Sequence, residues 1–379
     1  MTRLQKFNHK RSILMATAVA LLGAGLQAAD IKLGNAGELE MKGDLRLRQE
    51  SKTERGATTD KNKTNNRQRF RLRIGMNYKI DSKLSVKTRL ASGAGEQTST
   101  NQTLGNNGSQ KALFIDQAYL EFKPIDGLAL FGGRMNNNLW QTYTSDIVWD
   151  TDYNPEGIAE SLKIPVGNAR VFINAFQASI NEDKAGSAHA DRPQYLISNQ
   201  VGFMLPAPLD SRITIAGAIH NWVNESSTWT TVDPGNTKKT NTALNDIRVG
   251  ELTGELFTTL PVVDLPLSVQ GTYIKNTESR KTIQPNDTTG YQWGGIVGKA
   301  DKKNNLEVAF FRKSSGKDST KDDVADADFP GTDRVGNIYW LAYGVSDVAQ
   351  LKAKYFDTQV INGSKKDIQL LQIDLQVKF

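Results

Sequence analysis

The 379-residue sequence contains no cysteine and only 11 prolines. The first absence removes disulfide frameworks, thiol nucleophiles and cysteine-ligated metals together. Long apolar runs are missing too. Beyond one stretch near the start, no segment approaches the ~18–20 apolar residues that a spanning helix needs. The mean hydropathy of −0.48 agrees, and a bundle of membrane helices is excluded. Histidine is scarce. After residue 29 only His189 and His220 remain, and neither has a convincing nucleophile partner in the sequence, so histidine-rich metal sites and hydrolytic triads lack support. No G-x-S-x-G motif occurs. Asp150-x-Asp-x-Asn154 has the opening spacing of a calcium loop, but Pro155 stands at the turn glycine and Ser161 at the closing glutamate. No metal and no cofactor are read.

What is present is a folded, turn-rich composition: 38% apolar, 23% charged and 32 glycines, unlike a disordered chain. Arg3, Lys6, Lys10 and Arg11 precede an apolar run from Ile13 to Leu26, which exits through Gln27-Ala28-Ala29. That order is a secretory signal peptide over residues 1–29, leaving a mature chain of 30–379 and an exported protein. The leader holds four Lys/Arg and no acid, so the net charge of +6 falls to +2 without it. Nucleic acid is therefore not implied as a partner.

The mature chain opens on a period of two. Leu39, Met41, Gly43, Leu45 and Leu47 alternate with Glu40, Lys42, Asp44, Arg46 and Arg48. Phe70, Leu72, Ile74, Met76 and Tyr78 do the same against Arg69, Arg71, Arg73, Gly75 and Asn77. Alternation puts successive side chains on opposite faces of a strand. Some ten residues at ~3.3 Å each, tilted by ~40°, span the ~25 Å apolar band of an outer-membrane barrel. Short turns, such as Asp81-Ser-Lys83 and Pro124-Ile-Asp-Gly127, take turns with long polar stretches at 51–66, 93–111, 181–193, 223–243, 277–288, 314–333 and 358–366. A hairpin every ~43 residues gives about 16 strands, too many for side chains to fill the interior. The fold expected is all-β: a transmembrane antiparallel up-and-down barrel. The chain ends on Leu371, Ile373, Leu375, Val377 and Phe379 at alternate positions, a closing strand that must pair with the first.

Ser145-Asp-Ile-Val-Trp-Asp-Thr-Asp152, Asn154-Pro-Glu-Gly157 and Asp326-Ala-Asp-Phe-Pro-Gly-Thr-Asp333 resemble stretches of a bacterial "putative porin" family, with Pro330 as a local departure. The resemblance implies a general diffusion porin of the outer membrane, reached through the periplasm and without catalysis. It implies lipid around the barrel, small hydrophilic solutes or ions as cargo, and a homotrimer. It also implies that Phe379 is the terminal signal read by the barrel-assembly machinery, and that the loop after the fifth strand, residues 135–157, folds into the lumen.

If the apolar faces point to lipid, the lumen face of the first three strands carries Arg46, Arg48, Arg69, Arg71, Arg73, Lys87 and Arg89, with Lys42 and Lys79, against Glu40 and Asp44 alone. The segment after Arg134 carries Asp146, Asp150, Asp152 and Glu156 and no Lys or Arg. Two readings stay open. The loop sets an acidic rim against a basic wall and filters polar solutes by field, or it is a solvated external loop above an ordinary charged strand face. A surface-binding or adhesive barrel with an occluded lumen is the alternative function, and a barrel hydrolase is third.

Overall fold

The alternating segments pair into one antiparallel sheet that closes on itself. The computed structural model describes residues 29–32, 37–55, 62–181, 193–208, 211–223, 235–237, 247–261, 263–278, 285–362 and 366–379. Residues 1–28 of the expected 1–29 leader and most of the polar stretches 181–193 and 223–243 lie outside the described residues, while Ala29 opens the first strand.

In chain order the strands are β1 (Ala29–Lys32), β2 (Glu38–Arg55), β3 (Lys63–Lys79), β4 (Leu84–Ser92), β5 (Gln102–Thr103), β6 (Leu113–Phe122), β7 (Leu128–Arg134), β8 (Glu156–Val166) and β9 (Ala169–Asn181). There follow β10 (Gln194–Ala207), β11 (Ser211–Val223), β12 (Arg248–Leu260), β13 (Leu265–Asn276), β14 (Thr289–Gly298), β15 (Leu306–Ser315), β16 (Arg334–Gly344), β17 (Ala349–Val360) and β18 (Asp367–Lys378). Sixteen of them form the ring. The other two are short additions: β1 pairs with the start of β2, and β5 pairs with β3 at Arg69 and Phe70, beyond the reach of β4.

Closure runs along the whole of β18, from Asp367 opposite Arg55 to Lys378 opposite Asp44. It ends in a reciprocal pair: Gly43 N–H donates to the Phe379 carbonyl at 2.7 Å, and Phe379 N–H to the Gly43 carbonyl at 3.0 Å. The Phe379 ring occupies the space a Cβ on Gly43 would need, so a side chain there would displace the terminal aromatic.

The two faces are inverted relative to a soluble protein. Leu252, Ile215, Val269 and Leu341 are exposed, while their strand neighbours Thr253, Thr214, Gln270 and Trp340 are buried. Apolar residues therefore face lipid and polar ones face inward. Trp293, 52% exposed, packs edge-on to Phe310 at 6.0 Å and belongs to an outward aromatic group, whereas Trp222 and Trp340 point inward. Leu375 sits between Leu351 and Leu47, both outward, although it is itself covered.

One stretch read as loop is mostly strand. β2 and β3 stay paired as far as Glu54 opposite Lys63, and the Thr53 and Thr64 hydroxyls are 3.0 Å apart. Polar residues on both faces erase the alternation there, but the backbone ladder needs no apolar face once it has left the lipid. At the other end, the Asp81 carboxylate accepts from the N–H groups of Lys83 and Leu84 at 2.7 and 2.8 Å, which makes the short turn and holds its pKa below the usual range.

Leu252→Arg should therefore destabilise the barrel by ~2–4 kcal/mol if its site lies near the bilayer midplane. Gln376→Arg, on the inner face, should cost less than about 1 kcal/mol. Urea titration in lipid would read both, and equal shifts would mean that the faces are misassigned.

Candidate functional site

Two segments leave the rim and pack against the inner wall. The first, residues 135–155, follows β7, the fifth strand of the ring. Gly133 starts it, at φ +128 and so close to the Ala118 carbonyl that no Cβ fits. Ile147, Val148 and Trp149 are buried against Phe176, Leu196, Trp222, Val249 and Ile274 of β9 to β13. Each large apolar side chain so buried contributes roughly 1.5–3 kcal/mol to docking. Polar contacts set the position. Thr144 Oγ1 donates to Gln270 Oε1 at 2.9 Å, the Ser145 and Thr272 hydroxyls lie 3.2 Å apart, and Gln200 Oε1 accepts from Trp140 N–H at 2.7 Å.

The second segment, residues 316–333, docks through Phe329 onto Phe311, Ile338, Trp340, Phe356, Ile368 and Leu370. It also clasps the first. Asp150 N–H donates to the Val324 carbonyl at 2.7 Å, Ala327 N–H to Asp150 Oδ2 at 3.1 Å, and Thr320 Oγ1 to the Val148 carbonyl at 2.8 Å. Lys313 Nζ, buried on β15, joins them by donating to the Asp146 carbonyl and to Asp326 Oδ2, both at 2.9 Å. Loop 316–333 as a partner of 135–155 is not visible in composition. Only the recurrence of aspartates in both motifs hinted at it.

The basic wall stands opposite, on β2, β3 and β4. Arg48 is bidentate to Asp374 at 2.8 and 2.9 Å and reaches Asp328 at 3.5 Å. Arg71 and Arg73 share Asp44 at 2.6 and 2.8 Å, Arg69 is 3.6 Å from Glu50, and Lys87 is 2.7 Å from Glu121. Arg89 pairs with Asp116. The wall is thus far better neutralised than its own strands suggested. Asp374 comes from β18, Asp116 and Glu121 from β6, and Asp328 from the second segment, all remote in sequence.

Arg134 and Glu156 are not part of the rim. They end β7 and begin β8, pair directly in the ladder and form their own ion pair, so the segment closes at residue 155 rather than 157. Asp150 is not a field charge either. It is buried and its two oxygens accept from Asp152 and Ala327 N–H, while burial and the nearby Asp326 carboxylate push its pKa well up. Burial, then Asp326, likewise raises Asp146 to about 7. Asp152 faces the wall: its Oδ2 accepts from Thr100 N–H and Oγ1 at 3.1 Å, and Oδ1 lies 3.9 Å from Arg73. Burial would raise Asp328 too, but Arg48, Lys354 and Arg46 outweigh it and hold that group at about 2.

His220 has partners that the sequence did not reveal. Ser198 Oγ is 3.0 Å from Nδ1 and Glu251 Oε2 is 2.8 Å from Nε2, each from a neighbouring strand. Strand register, not sequence spacing, brings the three together. They do not form an open site, because His220 and Ser198 are 0% exposed and Trp149 lies edge-on to the imidazole at 4.7 Å. They are the seat on which the first segment rests.

Two inner spaces, of about 820 and 500 Å³, meet between wall and segments. Both are bordered by Arg46, Arg71, Tyr143, Asp146, Asp152 and Lys352. The first extends to the short turns at Asp301 and Asp347, the second to Glu96 and Thr103 in the long-loop end. A family model described as "Putative porin" matches residues 27–253. The chain belongs to this porin family. Its fold is that of solved porins: Pseudomonas putida OprB is 11% identical, with 91% of this chain aligned to 95% of that one at a TM-score of 0.57. OmpF of Salmonella typhi is 10% identical, with 93% of this chain aligned to 100% of that one at 0.54. None of the curated proteins matches. Such identities show the fold alone. Family and fold together support an outer-membrane channel protein.

The raised Asp146 gives docking of the porin segments a pH dependence with a definite sign. A carboxyl that holds its proton more tightly when docked favours docking below its free value of 3.8, and that contribution is lost as pH rises to about 7. Asp150 adds to the same slope, whereas Asp328, held at about 2, acts only in stronger acid. Brief current interruptions should therefore be rarer at mildly acid than at neutral pH, and Asp146→Asn should flatten the dependence. More interruptions in acid would contradict the assignment.

Proposed function

We propose that this porin is a passive diffusion channel for small hydrophilic solutes and ions, narrowed by its own inward-packed segments. The supporting observation is that Arg46 and Arg71 on one side, and Asp152 on the other, border both inner spaces. A solute passing between the spaces crosses a field set across its path, in a passage walled by low-dielectric protein where charges act strongly. No bond is made or broken, and the gradient supplies the driving force. The chain enters the periplasm on a leader over 1–29, which is removed, and is inserted with Phe379 as the signal read by the assembly machinery. A homotrimer in the outer membrane is the assembled form.

Reconstitution of the signal-free protein in a planar bilayer tests this. Stepwise openings whose conductance scales with that of the bulk salt are expected. Under a salt gradient, Arg71→Ala and Asp152→Asn should move the reversal potential in opposite directions. A folded barrel that never conducts would replace the diffusion channel with the surface-binding reading, in which the loops act and the lumen is closed.

A further inference from the structure

The wall cations are unequally neutralised. Arg48, Arg71, Arg73 and Lys87 each have a carboxylate oxygen within 2.6 to 2.8 Å, and Arg89 has Asp116. Arg46 differs. Its nearest carboxylate, Asp374 at 3.9 Å, is already bidentate to Arg48. Its Nη2 donates to the neutral Asn101 side chain at 2.7 Å, and its buried Nε has no hydrogen-bond partner among the described residues. Two lysines of β17 complete the contrast. Lys352 is 3.5 Å from Glu307, which already accepts from Trp340 Nε1 at 2.7 Å. Lys354 has no carboxylate within 4.0 Å among the described residues, and its ammonium lies 4.5 Å from the Phe356 ring centre and 5.7 Å from that of Trp340.

Register brings these three groups together. Across β17, β18 and β2, Gln350 stands opposite Gln376 and Gln376 opposite Arg46, with Lys352 and Lys354 next along β17 on the same face. All border both inner spaces, or the junction between them. The larger space has an aromatic side as well, supplied by the exposed Tyr143 ring and the half-buried Phe257, with Phe311, Ile338 and Trp340 buried behind it.

We propose that Arg46, Lys352 and Lys354 form a binding subsite within the channel for small organic carboxylates, with the aromatic side of the larger space receiving the apolar body. The inference rests on the diffusion reading. A carboxylate offers lone pairs to a guanidinium and two ammonium groups at once, in charge-assisted hydrogen bonds. Opposing charge there is partly spent, since Asp374 and Asp328 face Arg48 and Glu307 faces Lys352. This leaves Arg46 with no carboxylate nearer than 3.9 Å and Lys354 with none within 4.0 Å among the described residues. The apolar body gains contact with ring surface where a bare inorganic anion gains none. The subsite selects by weak retention, since a channel must release what it binds.

The test uses the full mature protein in a planar bilayer, with sodium benzoate and sodium acetate as probes. The expected result is an anion-side reversal potential in potassium chloride, with saturable reduction of current by benzoate at lower concentration than by acetate. Lys352→Gln with Lys354→Gln should weaken the benzoate effect about tenfold, or ~1.4 kcal/mol. Lys299→Gln, whose lysine borders the same space but is ion-paired to Asp301 at 2.7 Å, should leave it unchanged. Normal conductance without benzoate block, or block indifferent to the β17 pair, would overturn the subsite and leave the channel standing. Absence of any conductance from folded protein would instead overturn the diffusion reading, and the subsite with it.

Discussion

The backbone hydrogen bond between β18 and β2 is the contact on which the rest depends. A strand edge facing lipid leaves N–H and C=O groups with no partner, at several kcal/mol each, so the sheet must close or not insert. Closure here is long, running from Asp367 to Lys378, and it is finished by the chain's last residue exchanging hydrogen bonds with Gly43. That one exchange explains two sequence features together: an aromatic terminus and a glycine within an alternating strand. It also fixes register around the ring, and register determines which polar side chains meet on the inner face.

A ring of sixteen strands creates the opposite difficulty inside. Its interior is too wide for wall side chains to fill. Two segments occupy part of it, and their docking obeys soluble-protein rules. Trp149 and Phe329 are buried, with apolar neighbours around each. Wall and segments also share counter-ions, as Asp328 does by facing Arg48. The channel interior is therefore not a strand surface with loops added. Removing Asp328 from its segment takes a counter-ion from Arg48, on a strand most of the chain length away in sequence.

Much of the fold was legible because alternation is local. Leu45, Leu47, Arg46 and Arg48 declare their faces within four residues, and the turn at Asp81 declares itself within three. The basic wall was legible for the same reason. Its neutralisation was not, since Asp374 reaches Arg48 only through closure of the ring, and Lys352 and Lys354 face Arg46 only across β18. His220 looked solitary because Ser198 and Glu251 lie on other strands. The polar hairpin end at 51–66 resembles a loop in the sequence because its alternation fades where lipid no longer enforces it. Proximity in sequence places Glu156 among the rim acids, whereas pairing with Arg134 assigns it to the barrel.

The family motifs acquire a physical meaning from this arrangement. Residues 145–152 and 326–333 are far apart in the chain, and each alone is an acidic, polar stretch with one large aromatic. In the folded barrel they hold each other. Asp150 accepts from Ala327 N–H, and Lys313 ties the Asp146 carbonyl to the Asp326 carboxylate. A buried lysine held this way is costly to leave unpaired, so loss of Asp326 would release both segments rather than one. The acidic residues that looked like a rim thus divide by role. Asp150 and Asp326 fasten the segments, Asp328 neutralises the wall, and Asp152 faces Arg73 with its charge available to the passage.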